Sequence, residues 1–197
     1  MQNIHTREWR EEQRAAEVEE RKKREQERIE NKDRENIAIA KKRVSEINEA
    51  DVLNKNGDPI FDIYGAVSES HPDEMVRIIR RAEELGVEVR EGDGGRMAYS
   101  PGLRTGQPGQ LIISKNDSIG AWLHEEQHMN DDYADGFLGF QGLFDIERRC
   151  QMEYNAYKRE IDIANQAGRE DIAEILRNLC KEEIEMIGGI WDEKKLR

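Results

Sequence analysis

Two of the chain's four histidines stand four residues apart, in His124-Glu125-Glu126-Gln127-His128. On a helix that spacing puts both imidazoles on one face, one turn above the other, where they can converge on a single ion. The pattern therefore predicts a helix, running from a cap at Asp117 or Ser118 to about Tyr133. At roughly 3.6 residues per turn, Glu125 is rotated by about 100° from His124. Its carboxylate is then beside the metal rather than on it, placed to take a proton from a water that zinc activates. Ile119, Trp122, Met129 and Tyr133 fall on the opposite face and are expected to anchor the helix in the core. Gly120 and Ala121 are read as small residues toward the histidine side, leaving room for a ligand. The bland alternative is a pair of surface histidines on a polar helix face.

A catalytic zinc takes three protein ligands and one open position. Asp131 lines up with both histidines, but on a straight helix it lies about 10.5 Å in rise from His124, too far for one ion. Two other zinc-peptidase spacings fail as well. The Gly and last His of H-E-x-x-H-x-x-G-x-x-H fall on Asp131 and Ala134, and Ala134 also takes the Asp position of the aspartate variant.

The next helix, expected over residues 145 to 167, is more informative. Ile146, Cys150, Glu153, Tyr157, Ile161 and Ala164 share one narrow face. Glu153 is thus a carboxylate in an apolar stripe, where burial without a partner is costly. Its partner is either a metal, as third ligand, or a basic group in a buried salt bridge. Glu147 phases with Gln151, Tyr154 and Lys158 on what reads as the wet face. Tyr157, one turn beyond Glu153, either donates to the oxyanion of a tetrahedral intermediate or packs in the core. Glu160 borders the same face and is either a partner for a ligand histidine or a surface residue. His5 and His71 are read as ordinary residues.

The rest of the chain supplies a scaffold. Charged residues make up 38% and hydrophobic ones 36%, too polar for 197 residues around one core. The excess charge is concentrated in residues 1 to 50, which lack Pro and Gly and interleave acids with bases at helix-favouring spacings. This segment reads as a long charged helical stalk or linker. Ile37, Ala40, Val44 and Ile47 fit a heptad for two repeats, too short to establish a coiled coil alone. A domain over 51 to 197 follows, its globular part starting near Gly57-Asp58-Pro59. The expected order is a helix from Pro72 to Leu85, then a strand at Val87 to Arg90. A turn at Asp93-Gly94-Gly95 and a returning strand at Met97 to Tyr99 come next, before a third strand at Leu111 to Ser114. After the motif helix and a Gly-punctuated loop at 136 to 142, two helices separated at Gly168 complete an α+β domain dominated by helices.

A net charge of −12 disfavours nucleic acid as a partner. The chain has no apolar run that could span a bilayer and no signal peptide, so the expectation is a protein that stays in the cytoplasm or is exported without a cleavable signal. Cys150 and Cys180 read as two buried thiols rather than a disulfide.

The stretches Gly106 to Ser114 and Ser118 to His128 resemble the strand and motif helix of gluzincin-type metallopeptidases. More closely, they resemble the zincin-like metallopeptidase toxin domains at the C-termini of bacterial polymorphic toxins and in phage-associated proteins. Glu153-Tyr154-Asn155-Ala156-Tyr157-Lys158-Arg159-Glu160-Ile161 is similar to that family's E-x-x-A-Y-x-x-E-I stretch. The likeness covers roughly residues 72 to 187. It implies a zincin fold with His124, His128 and Glu153 on Zn2+ and Glu125 as general base. It also implies a protein or peptide substrate, a larger parent polypeptide and a cognate immunity protein. In zincins the strand before the motif helix lies at the sheet edge, which would let Leu111 to Ser114 pair with an extended peptide.

Two readings from other classes compete. Glu125-x-x-His128 could belong to a di-iron carboxylate site, but that architecture needs a second Glu-x-x-His, which the chain lacks. The other is a catalytically silent interaction or virion-associated module, for which the N-terminal helix would mediate self-association.

Overall fold

The computed structural model describes residues 57–92 and 97–196, with positions 14, 16, 19–24, 27, 28, 31 and 34 of the N-terminal segment. The chain divides into two units, Met1–Val52 and Leu53–Arg197. In the first, the described positions are helical and exposed. His5, the heptad positions Ile37 to Ile47 and the turn at Asp93 to Gly95 lie outside the described residues.

The second unit begins with two single-turn helices, α1 (Phe61–Tyr64) and α2 (Val67–Ser70). Ile60, just before the first, and Val67, at the start of the second, are both fully buried. Helix α3 (Pro72–Glu84) starts with Pro72 at its first turn and with Asp73 and Glu74 at the positive end of its dipole. Ile78 and Ala82 are its buried residues.

Three short strands follow: β1 (Glu88–Glu91), β2 (Ala98–Ser100) and β3 (Gln110–Ile113), in the order β1-β3-β2. β1 runs parallel to β3, with Val89 opposite Leu111, and β2 runs antiparallel, with Tyr99 opposite Leu111. Two expectations are corrected here. The strand after the turn does not return against β1, and β3 is the centre of the sheet rather than its edge. The physical reason lies in the residues: Leu111-Ile112-Ile113 suits a strand covered on both sides, whereas the charged Glu88, Arg90 and Glu91 suit an edge.

Helix α4 (Ile119–Ala134) carries the two histidines. Its N-cap is Ser118, whose side chain accepts from the Ala121 N–H at 3.3 Å. The Ser118 N–H in turn donates to the Asp58 carboxylate at 2.8 Å, tying the helix start to the entry segment. Trp122 is buried and its indole N–H donates to the Ser114 carbonyl at 2.9 Å. A 3-10 segment, Gly139–Phe144, leads to α5 (Ile146–Gln166), which is N-capped by Asp145. Gly168, at φ +71°, turns the chain into α6 (Glu170–Ile187). Helix α5 is the central layer, packed along α4 on one side and α6 on the other, while α4 also packs on β2, β3 and α3. The unit is thus mostly helical with one small sheet, an α+β arrangement. No helix among the described residues is long and apolar enough to cross a membrane.

Several side chains leave the faces assigned to them by phase. Tyr133 is 47% exposed; its ring meets Phe137 and the guanidinium of Arg81. Gly120 faces Ile60 rather than a ligand space: a Cβ there would come within 2.5 Å of Ile60 Cγ1. Ile146, at the very start of α5, is exposed. Tyr154, assigned to the wet face, is buried. The chain after α6 folds back over it, placing Trp191 against its ring and donating the Asp192 N–H to its hydroxyl at 2.7 Å.

Candidate metal centre

Packing of α5 on α4 brings Glu153 across to the two histidines. Glu153 Oε2 lies 3.6 Å from His124 Nε2, and Glu153 Oε1 lies 3.5 Å from His128 Nε2. One donor atom from each of the three residues falls within 4.8 Å of the others. Donors held about 2.0–2.1 Å from zinc at tetrahedral angles are about 3.3–3.4 Å apart. The carboxylate-to-imidazole spacings exceed that by only a few tenths of an ångström, so the three residues could hold one metal ion. Glu147, the nearest rival, is exposed. Asp131 is occupied elsewhere, accepting from Gln127 at 2.8 Å and Asn155 at 3.0 Å.

The His124 ring is held from both sides. Its Nδ1 meets Glu160 Oε1 at 2.6 Å, leaving Nε2 to face Glu153. Glu160 is buried, so of its two readings the structure has the partner of His124 and not the surface residue. Burial works against a charged His124, but hydrogen bonds to Glu153 and Glu160 outweigh it and hold the imidazole well above its ordinary value. For Glu153, burial raises the carboxyl, and the charges and hydrogen bond of the two histidines overcome this and bring it to about 2. His128 Nδ1 is buried without a hydrogen-bond partner among the described residues.

Glu125 stands beside the group, not in it. Its Oε2 accepts the backbone N–H of Tyr99 on β2 at 2.6 Å, so the edge strand nearest the site orients this carboxylate. Tyr157 sets its ring edge-on to His124, with centroids 5.0 Å apart. Burial, then the charges of Glu160 and Glu153, push its phenol far up, so the hydroxyl remains a donor. Glu125, His124, His128, Glu153 and Tyr157 all line one cavity of about 320 Å³. His71 is not among its lining residues; it occupies the N-cap position of α3 without a side-chain capping bond and packs against Tyr64. The two cysteines are free and buried, and burial raises both thiols.

Two further acids on α4, Glu126 and Asp132, are buried. Glu126 receives both Nη atoms of Arg77, at 2.6 and 2.9 Å, and Nη2 of Arg159 at 3.0 Å. It phases with the buried Trp122 and Met129 and so, like Glu153, is legible in the sequence as an acid in an apolar stripe. Asp132 accepts the hydroxyl of Tyr99 at 2.9 Å and pairs with Arg148 at 3.1 Å. No sequence signal marks it, because its partners come from β2 and α5.

The arrangement can therefore hold one metal ion against a cavity, with a carboxylate and a phenol at its side. No family model, no curated protein and no solved structure matches this chain.

Proposed function

We propose that the chain is a zinc-dependent metallopeptidase of the zincin type, acting as a toxin or effector domain of a larger polypeptide. The observation that carries the reading is the convergence of His124, His128 and Glu153 on one point, with Glu125 beside it at the cavity wall. Two imidazoles and a carboxylate suit zinc, which when bound supplies a Lewis acid that polarises a peptide carbonyl and lowers the pKa of water toward about 7.

The chain's own residues have distinct roles in this mechanism. Glu125 takes a proton on the carboxylate that the Tyr99 N–H holds in place, and returns it to the leaving amine. Tyr157 keeps its proton and donates to the oxygen of the carbonyl as negative charge develops there. Glu160 fixes the His124 ring with Nε2 forward. The parent polypeptide and the immunity protein rest on the family likeness alone.

The experiment is metal content of the wild type, Glu153→Ala and Glu147→Ala, followed by hydrolysis of a degenerate peptide pool with Glu125→Gln as control. About one zinc per chain, lost only in Glu153→Ala, with hydrolysis lost in Glu125→Gln, is the expected result. A wild type that binds no zinc when supplied would end the enzyme reading. Zinc without hydrolysis of any peptide would leave a silent binding module in its place.

A further inference from the structure

Arg148 and Arg149 lie side by side in the first turn of α5, and both line the cavity. A cation there sits at the positive end of the helix dipole, so neither serves the helix itself. Arg148 is accounted for by its neighbours, with Nη2 3.1 Å from Asp132 and Nε 2.6 Å from Asp135. Arg149 is not. It is half-buried, and its guanidinium makes no hydrogen bond or ion pair among the described residues. Its charge does reach Glu153 through space. In a chain with 43 acids and 31 bases, an untied guanidinium at a cavity wall leaves a rigid fork of five donors unused.

We infer that Arg149 binds a carboxylate of the substrate, that of an Asp or Glu side chain close to the scissile bond; this rests on the peptidase reading above. A guanidinium engages a carboxylate through two parallel N–H···O bonds, which fixes orientation as well as charge. The cavity's other acids are otherwise engaged: Glu153 with the imidazoles, Asp132 with Tyr99 and Arg148, Glu125 with the Tyr99 N–H. Glu183, from α6, also lines the cavity.

The test is binding to the zinc-supplemented full chain carrying Glu125→Gln to stop turnover. Fluorescein-labelled decapeptide pools hold Glu, Gln or Lys at alternate positions and randomised neutral residues between. Each is made with a free and an amidated C-terminus. The Glu pool is expected to bind at least about tenfold tighter than the Lys pool, whatever its C-terminus. Adding Arg149→Glu should reverse that order, and Arg149→Gln should abolish the preference. The inference is overturned if neither variant changes the order, if the Lys pool binds best to the parent, if no pool binds, or if the preference vanishes on amidation. In the last case the guanidinium reads a chain terminus. Turnover by the Glu125-intact chain is scored separately. A charge switch without hydrolysis counts against the peptidase reading alone, and hydrolysis without a charge switch counts against this inference alone.

Discussion

Glu160→Gln isolates what a buried carboxylate does for the proposed metal centre. Glu160 is 4% exposed, and its Oε1 lies 2.6 Å from His124 Nδ1. Glutamine keeps the shape and an acceptor oxygen but removes the charge. A hydrogen bond to a charged group contributes about 1.5–3 kcal/mol and a neutral one about 0.5–1.5 kcal/mol. The substitution therefore withdraws roughly 1–1.5 kcal/mol from a state that needs the imidazole both oriented and basic. About 1.4 kcal/mol is tenfold in affinity, so zinc should bind about tenfold more weakly. That is the low end of the roughly 10–100-fold range for partners of ligand histidines. Glu153→Ala, which deletes a ligand, should lose far more.

The same carboxylate also favours a proton on His124, and this gives the prediction a direction with pH. In the metal-free chain Glu153 and Glu160 hold the imidazole well above its ordinary value. Zinc must displace that proton, so below the raised pKa the wild type loses up to about tenfold in affinity per pH unit. The Gln variant, with a lower His124 pKa, begins to lose affinity only at lower pH. The difference between the two chains should thus be largest on the alkaline side and shrink on acidification. Competition with a chromophoric chelator at a series of pH values measures it. A ratio that stays constant or grows toward acid would refute the reasoning, as would equal losses in Glu160→Gln and Glu153→Ala.

Gly120→Ala should destabilise the fold by about 1–3 kcal/mol, since its Cβ would come within 2.5 Å of the buried Ile60; a urea midpoint within error of the wild type would mean that the entry segment is not seated on α4. Glu126 is pushed up by burial but held below the carboxylate range on balance, by the Arg77 hydrogen bond and the Arg159 charge. A depressed folded pKa contributes stability above the unfolded value and loses it as pH falls through the folded one. Glu126→Gln should therefore be less stable than the wild type by roughly 1–3 kcal/mol near neutral pH, with the gap closing in acid. Urea unfolding at a series of pH values measures it, and a gap that is the same at neutral and acid pH would contradict the assignment.

The helices were legible because each carries its own punctuation. Pro72 starts α3, Ser118 and Asp145 cap α4 and α5, and Gly168 separates α5 from α6. The site was legible for a related reason: a helix converts sequence spacing into a fixed direction, and Glu153 betrayed itself as an acid in an apolar stripe. Helices α1 and α2, of four residues each, are too short to display a period. Strand order was hidden because β1 finds β3 across some twenty residues rather than through a turn. Tyr154 was misplaced for the same kind of reason, its cover being supplied by Trp191 and Asp192, far along the chain. Phase says which way a residue points; it does not say what arrives there.

Several charged side chains also meet α4, and this bears on how a chain with 38% charged residues holds a site still. Acids outside α4 and acids on it anchor the helix. Asp58 accepts from the N-terminal end, Glu160 holds His124 and Glu153 faces both histidines. From α4 itself, Glu126 reaches Arg77 on α3 and Arg159 on α5, and Asp132 reaches Tyr99 on β2 and Arg148 on α5. Such buried pairs add little net stability compared with apolar packing, yet losing one partner is costly because the other charge is stranded. Their effect here is on register. Turning α4 by one residue, about 100°, would carry Glu126 away from two arginines and Asp132 away from Tyr99 and Arg148. Packing opposes that rotation too, since it would take Trp122 out of its buried place and bring a side chain against Ile60 where Gly120 now stands. The ionic contacts penalise it heavily, and the orientation they select is the one in which His124 and His128 face Glu153 and Glu125 faces the Tyr99 N–H.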